Sequence, residues 1–110
     1  MSGSKVRFTP VVWDILDVLS NAPPDDPPWG LRLCEQTGHG TGTIYPALDR
    51  LLNAGMIADR WEDSEPADRP KRRYYEITAT GREWFAEAVR AHDQRRMKWL
   101  RQAPQNRSAW

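Results

Sequence analysis

The chain has 110 residues, 39% of them hydrophobic and 28% charged, with a formal net charge of +1. This length holds one domain, and the composition excludes a disordered acidic chain. No stretch approaches the ~20 apolar residues that span a bilayer, and residues 1–9 lack the apolar run of a signal peptide. The single cysteine, Cys34, excludes an internal disulfide and a cysteine-rich zinc site. We therefore expect a cytoplasmic protein without membrane contact, metal or cofactor.

The charge is unevenly distributed. Residues 1–66 carry five basic and ten acidic side chains, a balance of −5, and residues 67–110 carry eleven and five, a balance of +6. Because binding depends on local potential, the basic segment can attract a polyanion. A solvated charged face is the alternative.

The first half of the chain favours three helices, at residues 10–20, 29–37 and 43–54. Thr9 is a suitable N-cap, with Pro10 at the first helical position. Four prolines within residues 21–28 predict a surface loop. The third helix, with Thr43 as its expected N-cap and Gly55 in the left-handed cap position, has an apolar stripe at helical spacing formed by Ile44, Ala47, Leu48, Leu51 and Leu52.

The second half favours strands at residues 56–61 and 72–78, joined by an exposed charged loop, and a long helix at residues 79–102. Thr80 fits a capping box for that helix, whereas Thr78 as the cap would put Gly81 in the first turn. Two helices around a glycine turn, followed by a hairpin, predict a mainly α fold: a winged helix-turn-helix with a long C-terminal helix.

A helix-turn-helix places its second helix in the DNA major groove. On the helix at residues 43–54, Arg50 could then read guanine and Asn53 adenine. An ordinary amphipathic helix with a wet face is the alternative. The wing adds four cations that could meet phosphates or only keep an edge strand soluble. These cations are Arg69, Lys71, Arg72 and Arg73, and Lys5 and Arg7 ahead of the first helix could add backbone contacts.

Two motifs resemble PadR-type transcriptional regulators. They are GTIYPALDRL at residues 42–51 followed by AGMI at 54–57, and RPKRRYYEIT at residues 69–78 followed by Gly81. The resemblance implies a winged-helix homodimer that binds an inverted-repeat operator, usually as a repressor. Together with the residue types, it gives the DNA-binding candidates Thr41, Thr43, Tyr45, Pro46, Arg50, Asn53, Lys71, Arg72 and Arg73.

The sequence departs from the family pattern in two places. Many members have a glycine-tyrosine pair at the start of the second helix, where this chain has Gly30 and Leu31. Longer members carry a multi-helix C-terminal domain, whereas this chain has room for one helix after the wing. We therefore predict a DNA-binding domain at residues 1–78 and a dimerisation helix and tail at residues 79–110.

The last helix has an apolar side that a second copy could cover through a two-fold interface. In a few members of the resembled family, aromatic residues at this seam bind flat hydrophobic ligands. Trp13, Trp84 and Trp99 are the corresponding candidates here for a small aromatic ligand. The alternative is that large aromatic side chains fill a small core.

No phosphate-binding glycine loop, metal-ligand spacing or nucleophile elbow is present, so we do not expect an enzyme. The alternatives to a DNA-binding regulator are a winged-helix module that binds protein and a ligand-binding dimer without its own operator. The sequence leaves the operator, the regulated gene, the inducer and the direction of regulation open.

Overall fold

The computed structural model describes residues 6–102. It confirms the expected order of three helices, a hairpin and a long helix. The helices are α1 (Pro10–Asn21), α2 (Gly30–Thr37), α3 (Thr41–Asn53) and α4 (Ala79–Gln102), and the strands are β1 (Ile57–Trp61) and β2 (Arg73–Ile77). No helix within the described residues is long and apolar enough to cross a membrane.

The start of α1 follows the sequence prediction. The Thr9 hydroxyl accepts a hydrogen bond from the Val12 backbone N–H at 3.3 Å, and Pro10 occupies the first turn. One side of α1 is buried over its whole length. This side contributes Val11, Val12, Ile15, Leu16 and Leu19 to the core.

The predicted N-cap of α3 is wrong. The helix begins at Thr41, with Gly40 as its N-cap, because the Gly40 carbonyl accepts the N–H groups of Thr43 and Ile44 at 3.1 and 2.9 Å. Pro46 therefore lies in the second turn. Without an N–H on Pro46, the carbonyl four residues earlier has no helical donor, and water can reach it because Gly42 is exposed.

The loop at residues 21–28 is not entirely on the surface. Pro27 and Pro28 are buried, because the Pro28 carbonyl accepts the Tyr75 N–H at 3.0 Å. Trp29, the N-cap of α2, forms a β-bridge with Tyr74. The start of α2 is thereby tied to β2.

The hairpin is antiparallel, with Ile57 opposite Ile77 and Trp61 opposite Arg73. Ile57, Tyr75 and Ile77 are buried, whereas Trp61, on the same side of the hairpin, is 56% exposed at the far end. Leu31 of α2 is also exposed, at 57%, and does not join the core.

The core is one cluster beneath α1, α3 and the hairpin, with Leu33 from α2 and Phe85 from α4. From α4, Gly81 and Phe85 are buried and Trp84 and Val89 are half-buried. Residues 92–102 of that helix are exposed. The second half of α4 therefore projects from the domain.

The N-cap of α4 is Thr78 and not Thr80. The Thr78 hydroxyl accepts the Gly81 N–H at 3.0 Å and lies 2.7 Å from the Gly55 carbonyl oxygen. Gly55 itself has φ 75°, the left-handed conformation predicted for the end of α3. The end of one helix and the start of another thus meet beside the first strand.

Candidate nucleic-acid interface

The outer face of α3 carries all the candidate DNA-binding side chains of that helix. Its core face is formed by Ile44, Ala47, Leu48 and Leu51, which are at most 1% exposed. The side chains on the outer face are exposed and available to a ligand: Thr41, Thr43, Tyr45, Pro46, Arg50 and Asn53.

A groove of about 480 Å³ lies between this helix, the start of α2 and the wing. It contains Tyr45 of α3 and all four cations predicted for the wing. Arg50 is not part of it, because five residues along a helix turn the side chain about 140° away from Tyr45. The lining residues are Trp29, Gly30, Leu31, Tyr45, Trp61, Arg69, Pro70, Lys71, Arg72, Arg73 and Tyr75.

Tyr45 lies against the first residue of α2. Gly30 is buried, and a methyl group built on its Cα would overlap the Tyr45 hydroxyl. The glycine therefore allows the phenol to lie against α2 while Tyr45 as a whole residue stays 39% exposed. The position of Tyr45 depends on the absence of a side chain at residue 30.

We expect Gly30→Ala to displace the Tyr45 ring, because the clash is with the free end of a side chain that can rotate. If that hydroxyl binds a phosphate, DNA affinity should fall roughly tenfold. The free energy of unfolding should change by less than about 1 kcal/mol. Fluorescence anisotropy and urea unfolding measure the two effects. In a Tyr45→Ala background the same exchange should leave DNA affinity unchanged, and a further loss there would contradict this explanation.

Two of the wing cations are paired with acids. Both terminal nitrogens of Arg69 donate to the Glu62 carboxylate at 2.8 Å. The side chain of Arg73 donates to Asp59 on the neighbouring strand, and this hydrogen bond raises the pKa of its guanidinium above the ordinary value. The hairpin thus places an acid next to two of the four wing cations, Arg69 and Arg73.

Glu62 links the two sides of the wing. It receives Arg69 and also the backbone N–H of Arg72 at 3.2 Å, and its own N–H donates to the Arg72 carbonyl at 2.8 Å. These bonds, the Arg69 hydrogen bond first, lower the pKa of Glu62 from 4.5 to about 2. Glu62 was expected in an exposed loop, but its side chain is only 17% exposed.

The lowered pKa predicts acid sensitivity of the wing. Because the folded-state pKa is below the ordinary one, the stabilisation is complete above pH 4.5 and is lost as the pH falls towards about 2. We expect Glu62→Gln to be less stable than the wild type at neutral pH and to lose less stability on acidification. Urea unfolding at a series of pH values tests this. Glu65→Gln, an exposed carboxylate in the same loop, is the control, and equal pH profiles for wild type and Glu62→Gln would contradict the prediction.

Arg72 differs from its neighbours because its guanidinium lies on an aromatic ring. Its Cζ is 3.8 Å from the centroid of the Trp29 ring. Within residues 6–102, neither Arg72 nor Lys71 has a carboxylate partner at salt-bridge distance. These two side chains provide the uncompensated charge of the groove.

A family comparison identifies the chain. The model of the Transcriptional regulator PadR-like family matches residues 31–87, just over half of the sequence. The chain belongs to this family. No curated protein sequence matches it.

Solved structures of PadR-like proteins share the fold. A PadR-like transcription factor from Bacteroides fragilis has a TM-score of 0.72 and 21% identity, covering 84% of this chain and 89% of that one. A PadR family regulator from Clostridium difficile R20291 has a TM-score of 0.63 and 20% identity, with coverages of 84% and 94%. Bacillus subtilis PadR, solved with operator DNA, has a TM-score of 0.58 and 17% identity, with coverages of 72% and 46%. The winged-helix fold with a long C-terminal helix is thereby confirmed.

Of the three tryptophans predicted to bind a ligand in this PadR-like chain, Trp13 and Trp84 lie close together and Trp99 lies apart. Phe8 stacks on Trp84, with ring centroids 3.9 Å apart, and makes an edge contact with Trp13 at 5.8 Å. A shallow groove of about 260 Å³ runs beside them along α4. Trp99 does not line this groove and is 64% exposed. The ligand pocket therefore stays a prediction, and a single copy does not assemble all three tryptophans.

The remaining candidates from the sequence are less informative. Lys5 lies outside the described residues, and Arg7 is exposed. Burial raises the pKa of the Cys34 thiol, the opposite of what a reactive thiolate needs. Between residues 6 and 102, no group of three or more His, Cys, Asp or Glu side chains could hold a metal ion.

The sequence prediction missed Trp29 and Glu62. Trp29 was taken only as the beginning of a helix, although aromatic residues are also typical of extended segments. The role of Glu62 depends on hairpin pairing with residues 69–72, which no local pattern indicates.

Proposed function

We propose that this PadR-like protein is a homodimeric repressor that binds an inverted-repeat operator in double-stranded DNA through α3 and the wing. The observation that carries the proposal is the groove that brings Tyr45 together with Lys71, Arg72 and Arg73 beside the exposed face of α3. Family membership supports regulation of transcription. The operator complex of Bacillus subtilis PadR supports DNA as the ligand.

The geometry suits a duplex because an α-helix fits the major groove, which is about 12 Å wide. With α3 in that groove, the outward Arg50 and Asn53 face base edges. The wing then meets the adjacent backbone, where Lys71 and Arg72 supply charge that no carboxylate in the described part of the chain compensates. Arg73 would exchange Asp59 for a phosphate or stay paired, so we assign it a weaker contribution.

The dimer is proposed from α4, whose second half projects from the domain with Trp99 64% exposed. A second copy that covers this helix would place two copies of α3 about one DNA turn apart, or ~34 Å. The dimerisation helix and tail at residues 79–110 remain part of this proposal.

Selection of bound duplexes from a random DNA pool at near-physiological salt tests the function. An enriched inverted repeat with half-sites about one turn apart would support it. A folded dimer that enriches no duplex would overturn it and favour a module that binds protein. The exposed Leu31 and Trp61 beside the groove would suit such a partner.

The wing charges can be tested by the salt dependence of binding. We expect the double variant Lys71→Ala/Arg73→Ala to weaken binding to every duplex and to reduce the slope of log K against log salt by about one to two units. Arg90→Ala removes an exposed cation of α4 outside the groove and is the control. An unchanged slope in the double variant would remove these two residues from the interface.

A further inference from the structure

We propose that Trp29 is a positioning residue of the DNA interface: its indole ring holds the Arg72 guanidinium in the groove and fixes the wing relative to α2. The proposal rests on the function proposed above. Trp29 lies outside the segment that the PadR-like family model matches, which begins at residue 31.

The ring of Trp29 lies between the helix-turn-helix and the wing. Its main chain bridges Tyr74 of β2, and the two rings make an edge contact with centroids 6.1 Å apart at 87°. The preceding carbonyl, of Pro28, accepts the N–H of Tyr75 at 3.0 Å. The backbone of Trp29 is therefore fixed to β2, the strand that directly follows Arg72.

Arg72 is held at both ends. Its backbone N–H and carbonyl pair with the side chain and the N–H of Glu62, at 3.2 and 2.8 Å. Its guanidinium lies 3.8 Å from the centroid of the Trp29 ring. A long flexible side chain is thus confined before any ligand arrives.

This confinement leaves the charge of Arg72 available. Arg69 and Arg73 are confined by carboxylates, which neutralise them. An aromatic face attracts a cation without a compensating negative charge, and the N–H groups at the edge of the guanidinium remain free to donate. Such a preorganised cation binds a phosphate with a smaller loss of side-chain entropy.

A double-mutant cycle separates this role from simple packing. The variants are Trp29→Leu, Arg72→Ala and their combination, with binding measured on the duplex obtained from the selection experiment. We expect Trp29→Leu to lower affinity about threefold to tenfold in the wild-type background and less than twofold in the Arg72→Ala background. Equal losses in both backgrounds, or no loss in either, would overturn the proposal.

Conservative variants test the chemistry of the contact. Trp29→Phe keeps an aromatic face and should recover most of the affinity that Trp29→Leu loses. Arg72→Lys keeps the charge but not the planar group, so Trp29→Leu should cost less in that background than in the wild type. If Trp29→Leu does not fold, Trp29→Met, which also removes the aromatic face, replaces it in the cycle with Arg72→Ala. An additive result there overturns the proposal.

A second tryptophan of the groove is the matched control. Trp61 is 56% exposed, and its nearest cation is Arg73, with Cζ 5.9 Å from the ring. Trp61→Leu should therefore be additive with Arg72→Ala. Failure of the wild type to bind any duplex would refute the proposed function and this inference with it, whereas binding with additive Trp29 and Arg72 effects refutes the inference alone.

Discussion

Exchanging Ala91 for arginine is expected to convert the proposed dimer into folded monomers and to lower affinity for a duplex with two half-sites about hundredfold. Ala91 is half-buried on the side of α4 that lines the groove beside Phe8, Trp13 and Trp84. In a dimer that covers this side, the variant would bury a charge without a partner, which opposes association. In the monomer the new side chain can extend into solvent.

The loss in affinity follows from tethering. When one half-site is bound, a dimer holds its second α3 near the other half-site at a high effective concentration, which is worth about 10²- to 10⁴-fold. Monomers lose this gain but keep their affinity for a single half-site. Analytical ultracentrifugation, with binding to duplexes of one and two half-sites, measures both effects.

Ala86→Arg is the matched control for this experiment. Residue 86 is exposed and lies about 140° around the helix from residue 91. This variant should remain dimeric and bind as the wild type does. A stable dimer in the Ala91→Arg variant would place the interface on another surface. The side of α4 that carries Ala91 would then no longer be part of the proposed dimer.

The elements of the fold were predictable because their signals are local. Thr9 and Pro10 mark the start of α1, and the apolar stripe of α3 has the period of a helix with one buried face. Gly55 ends that helix with the positive φ that glycine permits. Each of these features depends on residues within two turns of one another, so the sequence contains the information directly.

The details that could not be predicted depend on contacts across the chain. Asp59 neutralises Arg73 because the hairpin register places their strands side by side. The Trp29 ring contacts the guanidinium of Arg72, which lies 43 positions later in the sequence. The candidate DNA-binding residues were found by residue type and by family resemblance, but which wing cations keep an uncompensated charge depended on this pairing.

The N-cap of α4 is another detail that depends on a contact between residues distant in sequence. Gly81 in the first turn was an argument against Thr78 because glycine is a poor helix former. In the structure Gly81 is buried, and a methyl group on its Cα would overlap the carbonyl oxygen of Met56 and lie 2.9 Å from the Cγ1 of Ile77. The glycine is therefore explained by the close approach of α4 to the chain that enters β1.

Gly81→Ala is accordingly expected to destabilise the domain strongly. The Met56 carbonyl cannot move aside, because it accepts the Thr78 N–H at 3.0 Å and lies between Gly55 and the first strand. The added methyl group must push α4 outward, and overpacking of this kind costs about 1–3 kcal/mol. With a urea slope of about 1–3 kcal/mol per M for small proteins, a loss of this size should lower the urea midpoint by about 1 M.

Gly42→Ala makes the same chemical change where there is room. Apart from its chain neighbours and the nearby backbone of its own helix, no atom of residues 6–102 lies within 4 Å of a Cβ built at this exposed position in the first turn of α3. The exchange should therefore leave stability unchanged or raise it by up to about 1 kcal/mol, because alanine has the higher helix propensity. Equal midpoints for the two variants would show that α4 does not rest on the Met56 carbonyl. A loss of stability confined to Gly81→Ala would show that α4, the helix proposed to join two copies, packs against the Met56 carbonyl directly before the first strand of the wing.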